Sequence, residues 1–488
     1  MITFLVCITL LVAGFLFYGR FVEKRLFQAD PNRATPAHYR ADGVDYKVIK
    51  PWRVFVIQFL NIAGLGPIFG AILGAAYGPM AYVWIVVGCI FMGAVHDYFS
   101  GMISIRSGGR STPSLIGIYL GKHVKTVMNF FIALMLIGVG CSFVTGPADL
   151  LNNMAPVTKL FWVIVIFTYY ILATLVPIDK IIGKIYPYLG GALLFMAVAV
   201  GVALIVKGSN GTLHLTELTF DNMRNFHSNP QTNILFPMLF IVISCGAISG
   251  FHSTQSPIMA RCIDNEKYGR PVFYGAMICE GIVATIWATA AMAYTGGPEG
   301  LNAAAAAGST PAILVDAICR DWLGKVGAII AILGVIACPI TSGDTAFRSI
   351  RLILAEALHI NQKPIINRVL TALPIFAVAV LVCSSDFSTI WNYVGISNQV
   401  LASIVLWTSS RYLYKHGKSP LFTAIPATFL TYVCVCYFMV APMKNGGLAL
   451  PLTVAHIVAA VVTISIVTLF FLENRHLKRR FTTIRNQA

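Results

Sequence analysis

The chain has 488 residues, of which 57% are hydrophobic and only 11% are charged, with a mean hydropathy of +0.77. A soluble domain carries about 25% charged residues, so this composition excludes an ordinary soluble protein. The formal net charge of +16 raises nucleic-acid binding as an alternative, and the positions of the basic residues decide against it. The 11 cysteines show no zinc-binding or disulfide spacing, and their positions in apolar segments favour small buried hydrophobic side chains.

The apolar residues come in runs of about 17–25, the length that crosses roughly 30 Å of hydrocarbon as a helix. The sequence therefore predicts an all-α polytopic membrane protein with about 13 transmembrane helices. The predicted segments are 2–18, 51–76, 79–99, 127–150, 161–177, 185–206, 232–256, 270–294, 325–345, 366–385, 389–410, 421–440 and 450–472.

The basic residues are distributed unequally between the two sides of the predicted bundle. An odd number of spans places the two termini on opposite faces, and the face with more Lys and Arg is cytoplasmic. We therefore predict a cell-membrane (inner-membrane) protein with its N-terminus outside and its tail RHLKRR in the cytoplasm. Basic loops there attract anionic lipid, so nucleic acid is not an expected partner. The six basic residues on the outer side are Lys159, Lys207, Arg224, Arg320, Lys325 and Lys444.

Glycine and proline interrupt the second predicted span. Its middle reads NIAGLGPIFGA at 61–71, and a helix break frees backbone N–H and C=O groups that are costly in lipid. Such a break persists only if it is buried in protein or lines a polar cavity. Freed N–H groups attract anions and freed carbonyls attract cations, while a glycine lets a ligand approach the main chain.

A second span has a similar interruption, SCGAISGFHSTQSP at 244–257. The two spans begin about 180 residues and five helices apart and run in opposite directions, which is the sequence signature of an inverted-repeat transporter. The alternative is that these glycines only allow close helix packing. The implied units are an N-terminal helix and connector (1–50), two five-helix repeats (51–206 and 232–410), two accessory helices (421–472) and a basic tail (473–488).

Residues 64–109, GLGPIFGAILGAAYGPMAYVWIVVGCIFMGAVHDYFSGMISIRSGG, resemble the carbon starvation protein A family. The stretches VTGPADLL, SGFHSTQSPIMARC and ITSGDTAFRSIRLILAE continue the resemblance from residue 50 to about 410. The family implies a secondary transporter for peptides or pyruvate, usually proton-coupled. It also implies a core similar to the amino acid–polyamine–organocation superfamily, with five helices followed by five inverted ones.

A local resemblance of AGLG at 63–66 to the leucine-transporter fold implies a substrate carboxylate on the N–H groups of Leu65 and Gly66. With the second break, the predicted substrate-binding residues are Gly64, Leu65, Gly66, Gly246, Ser249, Gly250, His252 and Ser253.

The same fold implies a sodium site on Leu60, Ala63, Thr341 and Ser342, and the carbonyl of Cys338 is the natural fifth ligand because it lies on the same helix face. Hard oxygen ligands suit a hard cation. One alternative is that the hydroxyls of Thr341 and Ser342 only bond back to carbonyls of their own helix. Another is that protons replace sodium as the coupling ion. Pro67 stands where the fold often has an amide for a second sodium ion, so a second ion is not expected. No organic cofactor is expected either.

Acidic and histidine side chains inside spans are costly and therefore candidates for coupling or gating. Glu280 is a candidate proton carrier and His252 a candidate proton or substrate sensor. The alternatives are structural ion pairs, such as Asp344 with Arg348 four residues on. The coupling and gating candidates are Glu280, Asp97, His96, Asp344 and Asp149.

The sequence thus predicts a symporter, not an enzyme, that imports a small carboxylate-bearing nutrient, a short peptide or pyruvate, with a proton gradient. Its partners are that small molecule, a coupling ion and the bilayer; no oligomeric state is predicted. A sodium-coupled transporter, an ion channel and an intramembrane enzyme using His96, Asp97 and Glu280 are the alternatives. The enzyme would need these groups to converge, whereas the predicted topology puts Glu280 at mid-depth and His96 near the inner surface.

Overall fold

The computed structural model describes residues 1–154, 157–175, 186–383 and 387–487. Within these ranges the protein is built from helices, and the β-type pairing is one isolated parallel bridge between Ile49 and Ile263. The first helices are α1 Ile2–Phe27, α2 Pro51–Ile62, α3 Gly66–Ala75, α4 Met80–Arg106, α5 Thr112–Leu120, α6 Lys122–Met154, α7 Lys159–Leu175 and α8 Tyr186–Ser209. The remainder are α9 Leu235–Val242, α10 Gly250–Ala260, α11 Glu266–Thr295, α12 Pro298–Ala306, α13 Pro311–Lys325, α14 Gly327–Ala357, α15 Ile365–Val382, α16 Phe387–Lys415, α17 Leu421–Val440 and α18 Leu452–Gln487.

The predicted all-helical membrane architecture is confirmed. In the described ranges, nine helices are long and apolar enough to cross a membrane, and up to eleven spans result if each strongly bent helix pair counts as one. The predicted number of 13 and the arrangement of five plus five inverted helices therefore stay predictions.

The first predicted break is present between α2 and α3. Helix α2 ends at Ile62, α3 begins at Gly66, and the two axes are bent by 52°. Pro67 lies in the first turn of α3, where its missing N–H group leaves no hydrogen bond unmade. The break thus occurs at the glycines that the sequence singled out.

The second predicted break is present between α9 and α10. Ile243 leaves the helical region with φ −93° and ψ 66°, and Gly246 has φ +92°. A backbone with that φ strains any side chain with a Cβ, so glycine is required there. Ser249 is extended, with φ −136° and ψ 129°, and α10 begins at Gly250.

The two breaks lie against each other. A Cβ atom added to Gly66 would be 2.1 Å from the Cβ atom of Cys245, and one added to Gly246 would be 3.8 Å from the Cα atom of Pro67. Gly74 similarly faces Ile243, where an added Cβ would lie 2.1 Å from the side chain. The glycines therefore do two things: they form the breaks, and they allow the two main chains to pack closely.

Two predicted boundaries are corrected by the structure. Helix α4 continues to Arg106, beyond the predicted end at 99, because its polar stretch 96–104 is buried in protein rather than placed at the surface. The residues between the predicted spans 270–294 and 325–345, which the sequence predicts to be a connection, contain α12 and most of α13, and these two helices are bent by 119°. A run of alanines there favours a helix, and Pro298 and Pro311 lie in the first turns.

Helix packing places the breaks at the centre of the bundle. Helix α10 packs between α4 and α16, α11 packs along α2 and α3, and α14 packs along α6 and α8. Helix α17 packs on α16, and α18 packs on α17.

The connecting segments form two groups that agree with the predicted faces. In the predicted outer group, Asn302 Nδ2 donates to the carbonyls of Ala76 and Phe226. In the predicted cytoplasmic group, Arg261 Nε donates to the carbonyl of Gly109 at 2.8 Å. Which group faces the cytoplasm stays a prediction from the charge distribution.

Candidate functional site

Four buried ionisable side chains are linked across three helices beside the second break. We call His96 and Asp97 of α4, His252 of α10 and Glu280 of α11 the ionisable cluster. Asp97 Oδ1 is 2.8 Å from His96 Nδ1, and Asp97 Oδ2 is 2.9 Å from His252 Nδ1. His252 Nε2 is 3.4 Å from Glu280 Oε2. All four side chains have zero exposure, so charges here interact in a medium that screens them poorly.

The ionisable cluster corrects the predicted separation of His96 from Glu280. The sequence placed His96 near the inner end of its span, but α4 continues ten residues past it to Arg106. His96 and Asp97 consequently lie well within the helix and connect to Glu280 through His252. Three predicted coupling residues and one predicted substrate-site residue thus form a single assembly.

The backbone groups freed by the second break are hydrogen-bonded by side chains from three other helices. Glu280 Oε1 accepts from the Gly246 N–H at 2.9 Å, and Asn398 Oδ1 of α16 accepts from the Phe251 N–H at 3.0 Å. Trp84 Nε1 of α4 donates to the Ile243 carbonyl at 2.9 Å. These bonds offset the cost of an interrupted helix in an apolar surrounding. Glu280 therefore joins the break to the ionisable cluster.

The predicted substrate-binding residues lie at the two breaks and are buried. Gly64 faces Phe143 and the hydroxyl of Ser342, and Leu65 packs in the core beside it. Ser253 Oγ bonds back to the Gly250 carbonyl at 2.7 Å. The Ser249 hydroxyl is buried and makes no hydrogen bond to any residue that the structure describes.

Several buried amides near the breaks were missed by the sequence analysis. Within the described ranges, both side-chain polar atoms of Asn61 and of Gln255 make no hydrogen bond, nor does Oε1 of Gln58. Gln58 Nε2 contacts Ser256 Oγ at 3.4 Å, which places α2 against α10. Because buried polar groups are normally hydrogen-bonded, these atoms are suited to a polar ligand. The available signal was Asn61 itself, an amide in mid-span within the first broken stretch.

The predicted sodium ligands come together between α2 and α14. Ser342 Oγ is 3.5 Å from the Leu60 carbonyl and 2.8 Å from the Cys338 carbonyl, and Thr341 Oγ1 donates to the Cys338 carbonyl at 2.8 Å. The Cys338 thiol donates to the carbonyls of Leu60 and Ala63, at 3.1 and 2.5 Å. The resemblance thus identified residues that are neighbours, while the hydroxyls also make the back-bonds of the alternative interpretation.

Asp344 and Asp149 have different surroundings. Asp344 is fully buried, accepts a 2.5 Å hydrogen bond from the Tyr186 hydroxyl, and lies 3.9 Å from Arg348. The ion pair expected with Arg348 is therefore present, and Tyr186 is an additional partner. Asp149 is 42% exposed and pairs with Lys159 at 2.7 Å, apart from the ionisable cluster.

We expect the substitution Asp149→Asn to change substrate uptake by less than about twofold, because exposed ion pairs contribute only about 0–1 kcal/mol. Initial uptake rates in cells expressing equal amounts of each variant measure this. A loss of more than about tenfold would make Asp149 a gating residue, as the sequence considered.

A cavity of 190 Å³ lies on the predicted outer side of the second break. It is bounded by Val242, the last residue of α9, by the segment that precedes α9 (His227 and Asn233) and by α16. Two cavities of 520 Å³ each are lined mainly by apolar side chains around α17, away from the ionisable cluster. The smaller cavity has the polar lining that a small anion needs, including Tyr77, His227, Asn233, Asn392 and Asn445.

Two interrupted helices that meet inside a helical membrane protein, with ionisable groups beside them, are an arrangement typical of transporters. The profile described as carbon starvation protein CstA matches residues 1–155, 139–320 and 291–436. The chain belongs to this family, as the resemblance of residues 50 to about 410 indicated.

Curated relatives agree with that assignment. The chain is 42% identical over 354 residues to an uncharacterized membrane protein of Haemophilus influenzae, covering 63% of this chain and 95% of the relative. It is 25% identical over 568 residues to the peptide transporter CstA of Campylobacter jejuni, covering 90% and 78%. It is 26% identical over 341 residues to the pyruvate/proton symporter BtsT of Escherichia coli, covering 58% of this chain and 48% of BtsT. The family and these transporters agree with the prediction that the protein is not an enzyme.

Proposed function

We propose that the protein is a proton-driven symporter that imports a small carboxylate-bearing nutrient, pyruvate or a short peptide. The observation that carries this proposal is the ionisable cluster, whose Glu280 also holds the Gly246 N–H of the second break. A proton gained or lost there changes the charge beside the break. Protonation and substrate binding are thereby coupled through one side chain.

The substrate carboxylate is assigned to the first break. Its restarted helix α3 begins at Gly66, and a helix start offers N–H groups and a positive dipole end to an anion. The unpartnered amides of Asn61 and Gln255 are additional donors close to the breaks. This arrangement supports a carboxylate with a small polar remainder, a description that fits pyruvate and the C-terminal end of a short peptide.

Protons are favoured over sodium as the coupling ion. In the predicted sodium site, the thiol of Cys338 already donates to the carbonyls of Leu60 and Ala63, and the hydroxyl of Ser342 donates to that of Cys338. Sodium binding would have to turn those donors away. The ionisable cluster, in contrast, has three buried carboxylate or imidazole atoms without a hydrogen-bond partner in the described part of the chain: His96 Nε2, His252 Nε2 and Glu280 Oε2.

Reconstituted protein tests the proposal. In proteoliposomes whose exterior is more acidic than the interior, labelled pyruvate or dipeptide is expected to accumulate about tenfold per unit of pH difference. The reason is that one proton moving inward supplies about 1.4 kcal/mol per pH unit. A protonophore should abolish accumulation, and choline in place of sodium should leave it unchanged. Uptake that persists when both gradients are collapsed would contradict symport, and uptake that needs sodium would move coupling to Thr341 and Ser342. Competition of pyruvate uptake by a dipeptide panel distinguishes the substrates.

A further inference from the structure

Cys245 places a thiol next to two members of the ionisable cluster. Its Sγ atom, one nitrogen of His252 and one carboxylate oxygen of Glu280 all lie within 4.8 Å of one another. In the described part of the chain this is the one set of three such groups close enough to share a metal ion. His252 and Glu280 are fully buried, while Cys245 keeps partial exposure.

We propose that Cys245, His252 and Glu280 form a binding site for one divalent cation of the zinc class. Sulfur, imidazole nitrogen and carboxylate oxygen are the donors that Zn²⁺ takes in proteins, whereas Mg²⁺ and Ca²⁺ prefer sites made of oxygen alone. Three protein ligands leave a fourth position for water or for a carboxylate of a bound molecule.

The surrounding contacts orient two of the three ligands. Asp97 Oδ2 holds His252 Nδ1 at 2.9 Å, which leaves Nε2 directed at Glu280 Oε2, 3.4 Å away. A carboxylate behind a ligating histidine is the usual support of a zinc site. Glu280 Oε1 accepts a hydrogen bond from the Gly246 N–H, so Oε2 is the oxygen that remains to bind a metal ion. Both inward atoms, His252 Nε2 and Glu280 Oε2, are buried without a hydrogen-bond partner among the residues that the structure describes.

The spacing fits a tetrahedral ion after a small adjustment. Zinc bonds of about 2.0 Å to nitrogen or oxygen and about 2.3 Å to sulfur place neighbouring ligand atoms about 3.3–3.8 Å apart. His252 and Glu280 already have this separation, at 3.4 Å. Cys245 lies between the end of α9 and the start of α10, where a shift of about 1 Å unwinds no helix.

The site is linked to the proposed function through the residues that it shares with the ionisable cluster. A bound cation needs the thiolate, a free imidazole nitrogen and the carboxylate, so it excludes the coupling proton from His252 and Glu280. We therefore expect the cation to inhibit uptake, and the inhibition to increase as pH rises. This expectation rests on the proposed function. Binding itself does not, and it can be measured without transport.

The test uses Co²⁺ as a probe with the purified full chain. Co²⁺ on a cysteine thiolate gives a charge-transfer absorption, and we expect one equivalent to bind with that band and to be displaced by Zn²⁺. The substitution Cys245→Ser should remove the band and weaken binding at least tenfold, about the effect of even an indirect change at a metal site. Cys434→Ser is the matched control, since Cys434 is buried in the accessory helix α17, and it should retain the band.

A wild-type protein without the band, or a Cys245→Ser variant that keeps it, overturns the proposal. If Cys245→Ser does not give monodisperse protein, Glu280→Gln supplies the second variant, and it must weaken Co²⁺ binding at least about tenfold or the proposal fails. Proton-driven uptake in the presence of a chelator reports on symport alone. Loss of that uptake with intact Co²⁺ binding would therefore contradict the proposed function and leave the metal site standing.

Discussion

Replacing Glu280 by glutamine is expected to abolish uptake against a gradient while leaving exchange of substrate across the membrane. Glutamine keeps an oxygen that accepts the Gly246 N–H, a bond of 2.9 Å in the structure, so the second break retains its geometry. It removes the carboxylate next to His252, which is the proposed carrier of the coupling proton. Accumulation of about tenfold per pH unit should fall to simple equilibration, whereas counterflow of labelled substrate should continue at a similar rate.

Asp316→Asn is the matched control for this carboxylate-to-amide change. Asp316 forms an exposed ion pair with Arg320 at 2.8 Å on α13 and is not part of the ionisable cluster. Such a pair stabilises a protein by at most about 1 kcal/mol. The Asp316→Asn variant should accumulate substrate as the wild type does. A Glu280→Gln protein that accumulates substrate normally would show that Glu280 serves only to hold the Gly246 N–H. Loss of counterflow as well would indicate a distorted site instead of lost coupling.

The broken spans were predictable because their cause is local. Glycine and proline at Gly64, Gly66 and Pro67 weaken a helix wherever it stands, and in a membrane the break must be protected. Hydrophobic run length likewise predicted the helical membrane architecture, and the family resemblance indicated a transporter. These features depend on short stretches of sequence and on the properties of the bilayer.

The assembly around Glu280 was less predictable because it depends on packing. The sequence showed His96 and Asp97 followed by Tyr98 and further polar residues, a pattern typical of a span end, and only burial of that stretch carries α4 on to Arg106. Cys245 was assigned as a small hydrophobic residue because its neighbours His252 and Glu280 are 7 and 35 positions away in the chain. No spacing rule relates residues that meet only because a helix is interrupted.

The contact between the breaks itself is open to a direct test through Gly66. A Cβ atom added there would be 2.1 Å from the Cβ and 2.4 Å from the Sγ of Cys245, so the two interrupted segments would have to separate. Overpacking of this kind costs about 1–3 kcal/mol. We expect Gly66→Ala to lower uptake by about 10- to 100-fold, measured in chelator-treated proteoliposomes so that metal binding plays no part.

Two further variants separate this contact from a general loss of folding. Gly191→Ala in α8 adds the same atom where no described residue lies within 4 Å, and this variant should transport normally. Adding Cys245→Gly to Gly66→Ala removes the opposing side chain, so the double variant should recover much of the lost uptake. Cys245→Gly alone measures how much uptake is lost when only the cysteine side chain is removed. Normal uptake by a well-folded Gly66→Ala protein would mean that the two breaks do not move as one unit. Recovery in the double variant would instead make their contact the element through which the substrate side and the proton side of the protein are joined.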